Sequence, residues 1–213
     1  MHNDIILRLV DENPEMVLDR LVNLYWALST VLAYDVPGEV VEVGCYAGKT
    51  SVFLSMLIEH FDGSRTLHVY DSFQGLPSPG PLDGYLNQGD FATTVEALVA
   101  TFARWQVSLP VVHAGWFADT LPEELPEVIC FAYIDADFYD SILVALTHVY
   151  PRLASGAVLV VDDYADVDRS PRAFDLLPGP KAACDEFFAD KPETVSVLVG
   201  AGDLAFGYLR KAM

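Results

Sequence analysis

Basic side chains are scarce in this chain: 12 Lys and Arg stand against 31 Asp and Glu, a formal charge of −19. Binding to nucleic acid is driven by Lys and Arg displacing counterions from phosphate, so no nucleic-acid partner is expected. Between Thr66 and Pro151 Arg104 is the only base among eleven acids, and that stretch should attract cations and repel phosphates. Cysteine is sparse too. Cys45, Cys130 and Cys184 are odd in number and share no metal-like spacing, which suits a reducing compartment better than a disulfide framework. Long apolar runs are missing: the longest, Leu21 to Tyr34, has 14 residues and carries Asn23, Ser29 and Thr30, too short to span a bilayer. The opening Met-His-Asn-Asp lacks the basic and apolar regions of a signal peptide. A cytoplasmic location without a membrane partner is the expectation.

What is present is a globular composition. With 52% apolar residues, and 213 residues in all, the chain has enough material for one sizeable core without disulfides or a structural metal. No repeat or low-complexity segment occurs. Short apolar runs alternate with helical patterns, as in an open parallel sheet covered by helices on both faces. The runs are Val40–Val43, Leu67–Tyr70, Pro110–Val112, Ile129–Ile134, Ala157–Val161, Val195–Val199 and Leu204–Leu209. Only Gly200-Ala201-Gly202-Asp203 separates the last two, too short for a parallel crossover, so they are expected to pair antiparallel. Seven mostly parallel strands closing on an antiparallel hairpin make an α/β, Rossmann-like sheet of the class I methyltransferase pattern.

Helices are expected over Met16–Ala33, Lys49–His60, Thr93–Trp105, Asp140–Tyr150 and Lys181–Ala189. Residues 1–35 read as an N-terminal helical segment packed on a core domain of residues 36–213. The apolar first helix suits either a contact between two copies, in a homo-oligomer, or packing on the sheet. Gln74 to Gly89 carries prolines at 77, 79 and 81 and glycines at 75, 80, 84 and 89, which forbid regular structure; it reads as a substrate cover or a plain surface loop.

Val40-Val41-Glu42-Val43-Gly44-Cys45-Tyr46-Ala47-Gly48-Lys49-Thr50 is a strand, a glycine-punctuated turn and a helix start. Gly44 permits a sharp turn, and Gly48 removes a Cβ where a ligand could lie against the helix N-terminus. The spacing fits neither the dinucleotide fingerprint nor a phosphate loop, whose first glycine would fall at Val43. Asp71 closes the second strand, where an acid accepts both ribose hydroxyls of a bound nucleoside; a turn cap for Ser72-Phe73 is the plainer alternative. Glu42, a carboxylate inside an apolar strand, needs a partner or a positively charged ligand. S-adenosylmethionine offers an ammonium, a sulfonium and a ribose without phosphate, and it suits the acidic middle of the chain.

The strongest feature is a pair of strand ends, Tyr133-Ile134-Asp135-Ala136-Asp137 and Val160-Val161-Asp162-Asp163-Tyr164. On neighbouring strands about 4.8 Å apart, Asp135 and Asp162 can bring their oxygens to one point. Carboxylates crowd only around a cation or a shared proton, and a hard ion such as Mg²⁺ is the obvious occupant. Successive strand residues face opposite ways, so Asp162 and Asp163 share an ion only if the chain leaves the strand there. The plainer alternative is that these acids cap the following helix and loop. Functional rivals are an Asp-x-Asp glycosyltransferase and a catalytically silent binding domain. His68, His113 and His148 read as structural.

Val36-Pro37-Gly38-Glu39-Val40-Val41-Glu42-Val43-Gly44, Tyr70-Asp71-Ser72-Phe73-Gln74-Gly75-Leu76-Pro77, Gly115-Trp116-Phe117-Ala118-Asp119-Thr120-Leu121-Pro122, Ile134-Asp135-Ala136-Asp137-Phe138-Tyr139-Asp140-Ser141 and Val161-Asp162-Asp163-Tyr164 together resemble the macrocin O-methyltransferase (TylF-type) family. The resemblance covers roughly residues 36 to 165. It implies a Mg²⁺-dependent, S-adenosylmethionine-dependent O-methyltransferase acting on a small hydroxylated molecule, a sugar or a secondary-metabolite glycoside. It implies Glu42, Gly44 and Gly48 around the methionine part of the cofactor, Asp71 on the ribose and Trp116 near the adenine. It further implies Asp135, Asp162 and Asp163 as metal ligands and Asp137 as the catalytic base. The chain departs from the family at Lys49, where a small residue is common, and at Ala136-Asp137-Phe138, which replaces Gly-Asp-Leu.

Overall fold

The structure, a computed structural model, describes residue 6 and residues 9–12, 17–61, 63–198, 200 and 202–212. Seven strands form one sheet: β1 Glu39–Val43, β2 Leu67–Asp71, β3 Val111–Ala114, β4 Ile129–Ile134, β5 Leu153–Val161, β6 Ser196–Leu198 and β7 Phe206–Arg210. Their order is β3-β2-β1-β4-β5-β7-β6, with β1 to β5 parallel and β7 antiparallel to both β5 and β6. The expected hairpin is therefore present, with its second strand inserted beside β5 and its first left at the edge. Val199 and Ala201, at the expected end of β6 and in its turn, lie outside the described residues, as does Met16 at the start of the first helix.

The helices are α1 Leu18–Ala33, α2 Lys49–Phe61, α3 Val95–Trp105, α4 Phe117–Glu124, α5 Tyr139–Val149 and α6 Pro178–Phe188. Helix α1 packs on α2 and on β5, while α5 is flanked by α4 and α6, so both faces of the sheet are covered. Leu21, Leu24, Ala27, Leu28 and Val31 put a fully buried stripe on α1. Each such leucine contributes about 1.5–3 kcal/mol by leaving water. Leu18, Val22 and Trp26 form the opposite, exposed stripe of the same helix. Among the described residues no helix is long and apolar enough to cross a membrane.

Strand β5 begins at Leu153, four residues before the expected Ala157, and two helices also differ from expectation. Helix α4 was not expected, because Pro122 lies inside it and only Thr120 and Leu121 are buried. Helix α6 begins at Pro178, three residues before the expected Lys181, since Pro178 and Pro180 sit in the first turn, where a missing amide hydrogen costs nothing.

The core strands β1, β4 and β5 end level with one another: Val43 pairs with Ile134, and Ile134 with Val161. The ladder runs one residue further at each end. The Asp135 amide donates to the Val43 carbonyl at 2.8 Å, and the Asp162 amide to the Ile134 carbonyl at 2.8 Å. Across the sheet, the Gly44 amide donates to Tyr70 at 2.8 Å and the Gly115 amide to Asp71 at 2.9 Å. Main-chain pairing thus aligns the residues that follow four strands along one rim.

Candidate active site

A cavity of about 440 Å³ opens at that rim, within the usual ~300–1,000 Å³ of small-molecule sites. Gly44, Tyr46, Asp71, Trp116 and Phe117 line it, with Arg20 beside an acidic end of Asp135, Asp137 and Asp163. Leu76, Pro77, Tyr85 and Leu86 from the 74–89 segment complete the wall with Phe174 and Leu177. The segment without regular structure is therefore part of the cavity. Its anchor is Asp83, 3% exposed, whose carboxylate accepts the amides of Gly80 at 3.0 Å and of Tyr139 at 3.0 Å.

The glycine turn is built for close approach. Gly44 has φ +88°, and a Cβ there would lie 1.7 Å from the Asp135 carbonyl oxygen. Gly48 also has positive φ, but its missing Cβ faces Leu98 and Phe102 of α3, and the residue is not on the cavity wall. Its structural role is to let α2 and α3 pack. Asp71 binds the same turn, accepting the Tyr46 amide at 2.8 Å on one oxygen and the Phe73 amide at 2.7 Å on the other. Burial raises its carboxyl above the usual range, and these amides work against that rise. Asp71 lines the cavity, and its carboxylate keeps acceptor capacity beside these bonds for a hydroxyl donor. The turn-capping role and the ligand role of Asp71 thus coexist.

Glu42 is 1% exposed and lies outside the cavity lining. One oxygen accepts the Ser51 hydroxyl, while Oε1 has no partner. Burial pushes this carboxyl up to about 8, the Ser51 hydrogen bond opposing the rise and the Asp71 charge adding to it. Cys45, buried beside it, has its thiol raised well above the usual value, chiefly by burial, and is inert as a nucleophile.

At the acidic end, Asp135, Asp137 and Asp163 each offer an oxygen within 4.8 Å of the others. Two departures from regular backbone aim them: Asp137 at φ +54° and Asp163 at φ +55° are left-handed. Strand β5 ends at Val161, so the chain has left the strand before Asp163, which meets the condition for Asp162 and Asp163 to point to one region. Asp162 itself is otherwise engaged. Its Oδ2 lies 2.9 Å from Arg20 of α1 and accepts the Tyr133 hydroxyl at 2.5 Å, while Oδ1 accepts the Asp163 amide at 3.0 Å. The converging trio thus contains Asp137 in place of Asp162. Helix α5 is capped at Phe138 without a side-chain bond, so none of these acids serves as its cap.

Burial is the first cause raising the carboxyls of Asp135 and Asp163 well above normal, with the Asp162 charge next, and Arg20 acts against both. Asp137 is pushed up to about 7, by burial and then by Asp162, with Arg20 again opposing. An all-oxygen set that resists carrying its own charges fits a hard divalent cation.

Of the residues expected at the site, Gly44, Asp71, Trp116, Asp135, Asp137 and Asp163 share the cavity, whereas Glu42, Gly48 and Asp162 lie behind its wall. Of the aromatics Phe73, Tyr85, Phe91, Phe138 and Tyr164, which could line a sugar or aglycone pocket, Tyr85 and Phe91 reach it, Phe73 does not, and Phe138 and Tyr164 are buried elsewhere. His113 is structural as expected, bonded to His68 at 3.1 Å and to Glu124 and stacked on Tyr70. Arg20 and Tyr133 were not foreseen. The one sequence signal for Arg20 is that it is the sole base between Arg8 and Lys49.

The strand order and the cavity at the carboxyl rim of the parallel strands define a Rossmann-like class I methyltransferase fold. The model of the macrocin-O-methyltransferase (TylF) family matches residues 15–177, and the chain belongs to that family. A relative from Streptomyces olivaceus, 8-demethyl-8-(2,3-dimethoxy-alpha-L-rhamnosyl)-tetracenomycin-C 4'-O-methyltransferase, is 36% identical over 159 residues, 70% of this chain and 61% of that protein. Mycinamicin III 3''-O-methyltransferase from Micromonospora griseorubida is 32% identical over 69% of this chain and 63% of its own length. The chain therefore spans somewhat under two thirds of these relatives. The solved structure of the O-methyltransferase NovP superposes with a TM-score of 0.76 at 27% identity, covering 92% of this chain and 81% of that one.

Proposed function

We propose that this protein is an S-adenosylmethionine-dependent O-methyltransferase that uses Mg²⁺ and acts on a hydroxyl of a sugar or secondary-metabolite glycoside. The observation that carries the reading is the joining, in one cavity, of Gly44 and Asp71 with Asp135, Asp137 and Asp163. The Streptomyces olivaceus relative, whose name describes O-methylation of a rhamnosyl tetracenomycin, supports the acceptor class. Family membership favours this reading over a glycosyltransferase or a silent binding domain.

Bound S-adenosylmethionine would supply an electrophilic methyl whose C–S bond breaks as the acceptor C–O bond forms, its electron pair staying on sulfur. Asp71 would hold the ribose, Trp116 would stack near the adenine, and Gly44 would shape the methionine end, with Glu42 behind it. Glu42 Oε1, buried without a partner, suits a cationic group. Asp135 and Asp163 would hold Mg²⁺, joined by Asp162 once its ion pair with Arg20 opens, and the ion would lower the proton affinity of a coordinated hydroxyl. Asp137 takes the acceptor's proton. With its carboxyl raised to about 7, it is matched to a proton transfer near neutrality. The apolar wall from Leu76, Tyr85, Leu86 and Phe174 would orient the acceptor and exclude water.

The test is a melting assay with S-adenosylhomocysteine, with and without Mg²⁺, followed by transfer of labelled methyl to an aryl rhamnoside. Ligand at a hundredfold excess over Kd adds about 2.7 kcal/mol, a shift of several degrees at this size. No shift with the spent cofactor at saturation would refute the reading.

A further inference from the structure

Arg20 sits where a metal site ordinarily has no protein cation. It leaves α1 and reaches across to the ends of β4 and β5, 2.9 Å from Asp162 and 3.8 Å from Asp135. Asp162 is 2% exposed, so the ion pair is held largely out of water at its acidic end. The guanidinium also lies 5.9 Å from the Phe206 ring centroid, and its buried Nε has no partner. Tyr133 completes the arrangement, its hydroxyl donating to Asp162 and lying 3.2 Å from Asp135. Oδ2 of Asp162, held by one guanidinium nitrogen and a phenol, has both lone pairs engaged and is not free to ligate an ion until one donor releases it.

Resting on the Mg²⁺ reading above, we propose that Arg20 is a positioning residue that competes with the divalent ion for Asp162. Ion binding at Asp135, Asp162 and Asp163 requires Arg20 to withdraw, and Arg20 thereby sets a weak, exchangeable affinity. The argument is one of charge and geometry. Four carboxylates with a built-in monovalent cation attract a second cation less than the same four without it, because like charges a few ångströms apart repel. Withdrawal is possible because Arg20 keeps 29% of its side chain exposed and pays with an unpartnered Nε where it now lies. The same residue ties ion occupancy to α1, the element that carries it.

The test is a Mn²⁺ titration of the whole chain, followed by electron paramagnetic resonance of the free ion, in wild type, Arg20→Met and Arg20→Lys. Arg20→Met is expected to bind Mn²⁺ about tenfold more tightly, the effect of removing one nearby charge discounted for solvent. Its melting temperature without divalent ion is expected to fall by several degrees and to recover with Mg²⁺. Arg20→Lys, which keeps the charge, is expected within about threefold of wild type. Unchanged or weaker Mn²⁺ affinity in Arg20→Met overturns the proposal while leaving the metal reading intact; Mn²⁺ binding in none of the three overturns both. Should Arg20→Met not fold, the Arg20 Nε–H resonance of wild type, assigned by its loss in Arg20→Lys, decides. A shift on saturation with Mg²⁺ supports displacement, and a stationary resonance overturns it.

Discussion

The carbonyl oxygen of Asp135 stands 1.7 Å from the point where a Cβ on Gly44 would lie. The turn that would receive the methyl donor and the strand end that carries the acids are therefore in direct main-chain contact, and no side chain fits between them.

Gly44→Ala is expected to be destabilised by about 3 kcal/mol or more, since it adds both a steric overlap with fixed backbone and a positive φ that alanine resists. Urea denaturation measures this. A loss under about 0.5 kcal/mol, the size of a surface change, would mean that β1 and β4 can separate at this level.

Asp137→Asn is expected to lower kcat by about 10²–10⁴-fold, the range of a removed general base. Binding of S-adenosylhomocysteine, followed by calorimetry, should be close to wild type, because Asp137 is assigned to the acceptor's proton and not to the cofactor. A mutant with normal kcat would move the base elsewhere.

Asp135→Ala should abolish Mg²⁺-dependent turnover and leave binding of the spent cofactor largely intact. In the wild type, excess chelator should have the same effect, with activity returning on adding Mg²⁺. Equal turnover with and without chelator would remove the ion from the reaction.

Glu42 makes stability fall with rising pH. The unfolded carboxyl ionises near 4.5, whereas the folded one keeps its proton up to about 8, so unfolding releases a proton between those values. The stabilising protonation is complete below pH 4.5 and is lost as pH rises through about 8. Glu42→Gln should flatten that slope and melt several degrees above wild type near pH 9. Parallel pH profiles for the two proteins would show that Glu42 is ionised in the fold.

Much of this architecture was legible in the chain. The parallel strands are continuous apolar runs because they are covered on both faces, and the four-residue link after Leu198 left only an antiparallel return. Acids immediately after two such runs marked the rim. Helix α4 was hidden by Pro122, an interior proline that breaks the usual pattern but is tolerated in a helix of 8 residues. The partner of Asp162 was hidden for another reason. Arg20 is 142 positions earlier, and a lone arginine on an amphipathic helix carries no mark of where its long side chain will reach.

The level ending of β1, β4 and β5 divides the labour of this molecule. Chemistry rests on atoms placed by the peptide ladder itself, which tolerates change poorly, while the opposite wall comes from a proline-rich excursion pinned to the body by Asp83. Grafting residues 76–86 from one relative to another should then exchange the molecules accepted and spare the donor end, so that new tailoring specificities arise by replacing an excursion and leaving the engine untouched.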